Sequence, residues 1–259
     1  MSEAKKDKLL ITNLNKTFGT CQILHDINFT VKEGEFISLL GPSGCGKTTI
    51  LRILLGLETP DSGQVFKDGK DITNISPAQR GMGIVFQNYA LFENMTVLGN
   101  VEYALKRNKE LKKDARKIAE HMLEIVGLKE HMNKKPHKLS GGQQQRVAIA
   151  RTLALKPDVI LFDEPMSALD VDTRMVLRVE LKELQKKFGT TMIYVTHDQE
   201  EAFAMSDRIM VMSEGRIKQL DTPHNIIDNP ADDYVRQFVI KNIQMKIDSL
   251  VKFVHIDGR

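Results

Sequence analysis

The segment LGPSGCGKTTILRIL at positions 40–54 restricts the fold of this chain more than any other part of the sequence. It places a glycine-rich loop between the short apolar run GEFISLL and a segment whose apolar residues recur with helical spacing, at Ile50, Leu51, Leu54 and Leu55. A short apolar run is typical of a buried parallel strand. The sequence therefore predicts a strand, a bare loop and a helix in direct succession, as in a parallel α/β sheet.

The loop has the spacing Gly41-x-x-x-x-Gly46-Lys47-Thr48, which is typical of a phosphate-binding loop. Glycines allow successive backbone amides to point at phosphate oxygens, and the positive end of the helix dipole attracts the same anion. Lys47 is expected to reach the terminal phosphates of a nucleoside triphosphate, and Thr48 to offer its hydroxyl to Mg²⁺. The predicted nucleotide-binding residues of this loop are Gly41, Pro42, Ser43, Gly44, Cys45, Gly46, Lys47, Thr48 and Thr49. The alternative is a glycine turn that only connects strand and helix.

A second short apolar run, VILFDEP, ends in two adjacent carboxylates, Asp163 and Glu164. Asp163 at the end of a buried strand can hold Mg²⁺ through its hydration shell, and Glu164 can act as the base on an attacking water. Acidic residues at strand ends are often only exposed, but a phosphate-binding loop in the same chain favours the functional interpretation.

Ser140, Gly141, Gly142 and Gln143 begin a second strongly helical segment. A hydroxyl and two glycine amides at a helix start form a second anion-binding position, whereas one triphosphate needs only one. The run LSGGQ resembles the signature of ATP-binding cassette (ABC) ATPases, in which this helix start completes the nucleotide site of a partner subunit. A simple helix cap is the alternative.

The resemblance covers residues 9–238 and implies roles for further residues. Gln87 in VFQNYALF resembles the glutamine that contacts Mg²⁺ and the attacking water, and His197 in VTHDQ resembles the histidine beside the γ-phosphate. Phe18 in KTFGT stands where an aromatic residue stacks on adenine, with core packing as its alternative. The run SALD at 167–170 matches a loop at the subunit boundary. The implied catalytic residues are Glu164, His197 and Lys47, and the implied metal-binding residues are Thr48, Gln87 and Asp163.

The fold that the resemblance implies is that of an α/β P-loop NTPase. It has a RecA-like parallel core, an N-terminal antiparallel β subdomain, and a helical subdomain inserted between Gln87 and Asp163. The helical spacing of apolar residues over about 96–155 agrees with such an insertion. We expect an ABC ATPase domain over residues 1–240 and an unassigned tail over 241–259.

Three stretches, VFQNYALFENMTVLGNV, HDQEEAFAMSDRIMVM and GRIKQLDTP, most resemble ATPase subunits of bacterial importers for polyamines, sugars, ferric iron, sulfate or phosphonates. The resemblance implies a homodimer, or a heterodimer with a related ATPase, that binds two ATP-Mg²⁺ head to tail. It also implies a membrane permease contacted near Gln87 to Phe92 and an external solute-binding protein. A soluble ABC ATPase of the assembly-factor type is the alternative. Such importer subunits commonly continue into a C-terminal β-domain; this sequence ends at Arg259, so regulation through such a domain is not expected.

Composition limits the location and the partners. The 37 Lys and Arg against 34 Asp and Glu give a net charge of +3, so no nucleic-acid partner is expected. No apolar run approaches the length of a membrane helix, and the start does not resemble a signal peptide. We expect a peripheral protein at the cytoplasmic face of the membrane. Cys21 and Cys45 fit a reducing compartment; the helix dipole could lower the pKa of the Cys45 thiol, or Cys45 is simply a small residue that fits.

Overall fold

The computed structural model describes residues 6–251, which form two β-sheets with helices packed around them. The strands are β1 (Asp7–Phe18), β2 (Cys21–Lys32), β3 (Phe36–Leu40), β4 (Ser62–Lys67), β5 (Lys70–Asp71), β6 (Met82–Val85), β7 (Val159–Asp163), β8 (Thr191–Thr196), β9 (Arg208–Ser213) and β10 (Arg216–Asp221). The helices are α1 (Lys47–Leu55), α2 (Val97–Arg107), α3 (Ala115–Ile125), α4 (Gly141–Leu153), α5 (Val171–Phe188), α6 (Gln199–Met205), α7 (Pro223–Asp228), α8 (Asp233–Val235) and α9 (Asn242–Val251). A π-helical segment, Arg236–Lys241, joins α8 to α9.

The larger sheet has the order β10-β9-β3-β8-β7-β6 and is parallel except for β10. All five residues of β3 are buried, and they contribute to separate hydrophobic clusters: Phe36 to one, Ile37 and Leu39 to a second. A parallel strand covered on both faces needs a continuous apolar run, which is the pattern of GEFISLL. In register, Leu40 lies beside Thr196, and Asp163 beside Val195, so β3, β8 and β7 end at one edge of the sheet.

The smaller sheet is antiparallel, with the order β2-β1-β4-β5. Its inward residues share one cluster with α1: Leu9 and Ile27 belong to the same core as Ile50 and Leu54. Phe18 and Cys21 form the last pair of the β1-β2 hairpin. Because α1 is held between the two sheets, the loop before it has a fixed position.

The helices α2, α3 and α4 pack on one another through a common apolar core that includes Val101, Ala119, Leu123 and Val147. They lie within the range predicted to be helical from the spacing of apolar residues; the exact boundaries of the domain stay a prediction. The predicted tail, 241–259, begins at the last residue of the π-helical segment and continues as the helix α9, and residues 252–259 of that tail lie outside the described residues.

None of the helices in the described part of the chain is both long enough and apolar enough to span a membrane.

Candidate active site

The loop between β3 and α1 depends on glycine at Gly46, which directly precedes the helix. Gly46 has φ 99°, and a Cβ there would lie 2.6 Å from Leu24 Cδ2. L side chains rarely adopt this backbone conformation, and the hairpin strand β2 leaves no space for one. The close packing against β2 therefore explains why the bare residue of the motif stands at this position.

Lys47 is the first residue of α1 and is only 4% exposed. Its Nζ donates hydrogen bonds to the backbone oxygens of Gly41, at 2.7 Å, and Pro42, at 2.8 Å. A buried ammonium needs such partners, and here they come from the loop itself. The cation is thus held inside the loop that the sequence predicts to surround phosphate.

Cys45 does not have the activated thiol that a helix N-terminus could produce. Cys45 is 3% exposed, and this burial raises the pKa of its thiol. Lys47 Nζ lies 3.8 Å from Cys45 Sγ, and its positive charge opposes the shift. Its backbone N–H is within hydrogen-bond distance of the Pro42 oxygen, at 3.4 Å. The prediction of a lowered pKa is wrong because desolvation outweighs the nearby positive charge; Cys45 is a small residue that fits.

Thr48 and Asp163 bring oxygen atoms of two distant segments together. Thr48 Oγ1 donates to Asp163 Oδ1 at 3.1 Å. Burial raises the pKa of the Asp163 carboxyl, the hydrogen bond from Thr48 opposes this, and the neighbouring charge of Glu164 adds to it. A hydroxyl and a partly buried carboxylate are hard oxygen donors of the kind that Mg²⁺ prefers, so these residues fit the ion that the resemblance implies.

Glu164 follows β7 and points at the end of β8. It has a left-handed backbone with φ 45°, and its N–H donates to the Val195 oxygen at 3.1 Å. Its Oε2 lies 3.1 Å from His197 Nδ1. A non-glycine residue at positive φ is uncommon, and here the bond to β8 holds it. Glu164 and His197, 33 positions apart in the sequence, thus form one side-chain pair.

Gln87 reaches the same region from the loop after β6. Its Nε2 donates to Ser167 Oγ at 3.1 Å, and Ser167 Oγ in turn donates to the Glu164 backbone oxygen at 3.0 Å. These hydrogen bonds connect Gln87 through Ser167 to the backbone of Glu164.

A cavity of about 610 Å³ unites most of the predicted residues. It is lined by Phe18, Ile23, Ser43, Gly44, Gly46, Lys47, Thr48, Thr49, Arg52, Gln87, Asp163 and Glu164. Phe18 is 44% exposed, which a core aromatic would not be, and Lys16 Nζ lies 5.0 Å from its ring centre. Ile23 and Arg52 were not predicted. Arg52 lies four residues after Thr48 and hence on the same face of α1, so helical periodicity could have identified it; Ile23 carries no comparable signal.

The predicted signature residues Ser140 to Gln143 are not among the residues that line this cavity. Ser140 is the N-cap of α4: its Oγ accepts from Gln143 N at 3.3 Å, and its own N–H donates to Gln143 Oε1 at 3.0 Å. This reciprocal arrangement is a capping box. A Cβ on Gly142 would lie 2.6 Å from Thr173 Cγ2, so the start of α4 packs directly against the start of α5.

The sequence matches the family described as ABC transporter over residues 24–167, which is more than half of the chain. The chain belongs to the ABC transporter family. This match confirms the family predicted from the sequence, and the mostly parallel larger sheet with its packed helices confirms the predicted α/β fold class.

Among the relatives of this ABC protein is the spermidine/putrescine import ATP-binding protein PotA of Marinobacter nauticus. It is 48% identical over 91% of this chain and 63% of its own length. The Fe(3+) ions import ATP-binding protein FbpC of Agrobacterium fabrum is 46% identical over 92% of this chain and 68% of its own length. The chain thus spans about two thirds of the length of the curated relatives it matches.

Two solved structures have the same fold. CbiO1 from Clostridium perfringens, described as part of the ABC transporter complex cbiONQ, matches with a TM-score of 0.81 and 29% identity, over 94% of this chain and all of that chain. The ATP-binding cassette MJ0796, described as a dimeric post-hydrolysis state bound to ADP and Pi, matches with a TM-score of 0.73 and 36% identity, over 83% of this chain and 98% of that chain.

Proposed function

We propose that this chain is the ATP-hydrolysing subunit of an ABC importer, in which two copies bind two ATP molecules head to tail and drive a separate membrane permease. One observation carries the proposal. Lys47, Thr48, Asp163 and Glu164 meet around one cavity, whereas the second anion-binding helix start, at Ser140, lies outside it. A site built in two separated halves needs a second copy of the chain to bring the halves together.

ATP would bind with its phosphates at the loop before α1. The Lys47 ammonium, now bound to two backbone oxygens, would turn to the terminal phosphates, and the amides at the start of α1 would surround them. The exposed ring of Phe18 would stack on adenine. Thr48, Asp163 and Gln87 would hold Mg²⁺, which when bound would neutralise phosphate charge.

Hydrolysis would use the pair formed by Glu164 and His197. The Glu164 carboxylate would take a proton from water as the new bond to the γ-phosphorus forms and the bond to the β-γ bridging oxygen breaks. Lys47 and His197 would stabilise the negative charge on the transferred phosphoryl group. The 3.1 Å contact between Glu164 Oε2 and His197 Nδ1 supports this assignment, since it places both groups at one position.

The partner subunit would contribute Ser140, Gly141, Gly142 and Gln143. The hydroxyl and the bare amides at the start of a thirteen-residue helix suit the γ-phosphate of a neighbour. The dimeric state described for MJ0796 supports this arrangement. The partner copy is a homodimer mate or a related ATPase.

The transport partners follow from the relatives. PotA and FbpC are named import ATP-binding proteins, which supports a membrane permease as a partner. An external solute-binding protein would belong to the same system. The segment between Gln87 and Phe92 would contact the permease; Phe92 is 37% exposed and packs 4.7 Å from Tyr103, ring centre to ring centre. The protein would then lie at the cytoplasmic face of the membrane without crossing it.

The test uses Glu164→Gln, which keeps the side-chain shape but removes the base. We expect ATP to bind and hydrolysis to fall by about 10²- to 10⁴-fold, the usual contribution of a general base. Closed dimers should then accumulate with ATP and Mg²⁺ in size-exclusion chromatography. Adding Ser140→Arg should abolish the dimer because a bulky side chain fills the phosphate position, whereas Ser76→Arg at an exposed loop should leave it. A Glu164→Gln protein that stays monomeric, or that hydrolyses ATP at the parental rate, contradicts the proposal.

A further inference from the structure

We propose that His131 is a positioning residue for the nucleotide-contacting end of α4, because its ring nitrogen holds the side-chain amide of Gln143. The inference rests on the proposed function, since it assigns a residue that prepares the Ser140 half of the composite site. His131 lies twelve positions before Gln143, outside every motif that the sequence shows.

The hydrogen bonds of Gln143 determine which atoms face His131. Gln143 Oε1 accepts the backbone N–H of Ser140 at 3.0 Å, so the amide NH₂ is the group that faces away. Gln143 Nε2 lies 3.0 Å from His131 Nε2, and an NH₂ group can only donate. His131 Nε2 therefore accepts, and the ring proton of the neutral imidazole is on Nδ1.

The Nδ1 atom of His131 is buried and has no hydrogen-bond partner within residues 6–251. A buried donor without a partner is unfavourable, and a natural structure contains few of them. In His131 the unpaired donor is Nδ1, while Nε2 accepts the hydrogen bond from Gln143. An apolar side chain at this position would avoid the unpaired donor, so the contact to Gln143 is the feature that accounts for a histidine here.

His131 is itself held in a segment that also caps α2. Its backbone N–H donates to Leu128 O at 2.9 Å. The carbonyls of the next residues accept from the start of α2: Leu98 N donates to Met132 O at 3.0 Å, and Val97 N to Lys134 O at 2.8 Å. The starts of α2 and α4 are therefore joined through this segment. A displacement at the start of α2 would reach Gln143 through the imidazole.

The fold of this region does not depend on His131 alone. The Ser140 hydroxyl still accepts from Gln143 N at 3.3 Å without the imidazole. The neighbouring Gln144 Nε2 donates to Pro136 O at 3.2 Å and to Leu139 O at 3.3 Å, which ties the segment to α4 independently. Removing the acceptor at position 131 should therefore release the Gln143 side chain and leave α4 folded.

The experiment compares His131→Leu with His131→Gln, both in the Glu164→Gln background. Leucine has no acceptor, whereas a glutamine carbonyl can reach the position of Nε2. We expect His131→Leu to weaken ATP-driven dimerisation by roughly 2- to 12-fold, the range of one hydrogen bond. His131→Gln should restore it. The affinity of the monomer for ATP, measured at a protein concentration below that of dimer formation, should not change in either variant, because the cavity at Lys47 is formed by other segments. His121→Leu, an exposed histidine on α3, is the matched control.

Each outcome is decisive. Dimerisation of His131→Leu equal to that of its parent overturns the inference and leaves the proposed function intact. Equal losses in His131→Leu and His131→Gln, or a parallel loss of ATP affinity in the monomer, would show that His131 only fills space. If Glu164→Gln itself does not dimerise, the composite site fails and this inference with it. If His131→Leu does not fold, His131→Asn takes its place in the experiment. The side-chain oxygen of the asparagine would lie near the Nδ1 position and could not reach Gln143.

Discussion

One buried guanidinium binds carbonyls at the C-terminal end of α1, and replacing it is the sharpest stability test of the fold. Arg80 is 3% exposed and donates four hydrogen bonds, each of 2.8 Å, to the backbone oxygens of Ile53, Leu54, Thr73 and Ile75. Burial lowers the pKa of this guanidinium, although it stays charged near neutral pH. The cation also lies at the negative end of the α1 dipole.

The cost of Arg80→Met follows from the carbonyls that it leaves unpaired. Ile53 O keeps the N–H of Gly56 at 3.0 Å. Within the described residues, Leu54, Thr73 and Ile75 have no second donor for their oxygens. At about 1 kcal/mol for each, the low end for a buried unsatisfied group, the free energy of unfolding should fall by about 3 kcal/mol. For 259 residues this lowers Tm by roughly 5 to 6 °C.

Thermal unfolding by circular dichroism, without nucleotide, measures this loss, because a bound ligand would add its own stabilisation. Arg80→Lys should lose less than Arg80→Met, since an ammonium can still reach some of the carbonyls. The control is Arg116→Met on α3. The Arg116 side chain is 71% exposed and, among residues 6–251, pairs only with Glu120, so the change should alter the stability by less than about 0.5 kcal/mol. A loss below about 1 kcal/mol for Arg80→Met would refute the assignment of Arg80 as the cap of α1.

Three further results are expected. Asp163→Asn should stop ATP hydrolysis yet raise Tm at pH 7. Burial raises the pKa of the Asp163 carboxyl, so its charged form is unfavourable in the folded state and removing that charge is stabilising. This gain in Tm should vanish as the pH falls through the raised pKa, because the native carboxyl then becomes neutral. A Tm that drops at pH 7 would contradict this. Phe18→Ala should raise KM for ATP more than it lowers kcat, because stacking on adenine acts alike in the ground and transition states; an unchanged KM would return Phe18 to a packing role. A thiol reagent should modify the exposed Cys21 before the buried Cys45. ATP should slow the reaction of Cys45 further, because the nucleotide covers the loop. Equal modification rates for the two cysteines, measured by mass spectrometry, would contradict the burial of Cys45.

Much of the local structure could be predicted from the sequence because its causes are local. The apolar spacing at Ile50 and Leu54 gives α1, and both residues are fully buried in the core between the two sheets. Gly189 ends α5 with φ 61°, as a glycine after a long amphipathic helix predicts. The phosphate-binding loop and the capping box at Ser140 likewise depend on residues within a few positions of one another.

Other features escaped prediction because they depend on distant contacts. The raised pKa of Cys45 depends on burial by surrounding segments, which a helix-dipole argument from the sequence does not contain. Ile23 lines the cavity only because β2 passes beside the loop. The helix α9 lies within the segment for which the sequence offered no interpretation.

The sequence by itself determined the family, the fold class and the chemical types of side chain available to a nucleotide. Only the tertiary structure decided how they meet. β3 and β7 are far apart in the chain, yet both pair with β8, so the loop at Lys47, the carboxylate of Glu164 and the ring of His197 lie at one edge of the sheet. The tertiary structure also places Ser140 outside the cavity at Lys47 and His131 beside Gln143. Strand order and helix packing arise from long-range pairing of apolar faces, and no local periodicity specifies which faces will pair.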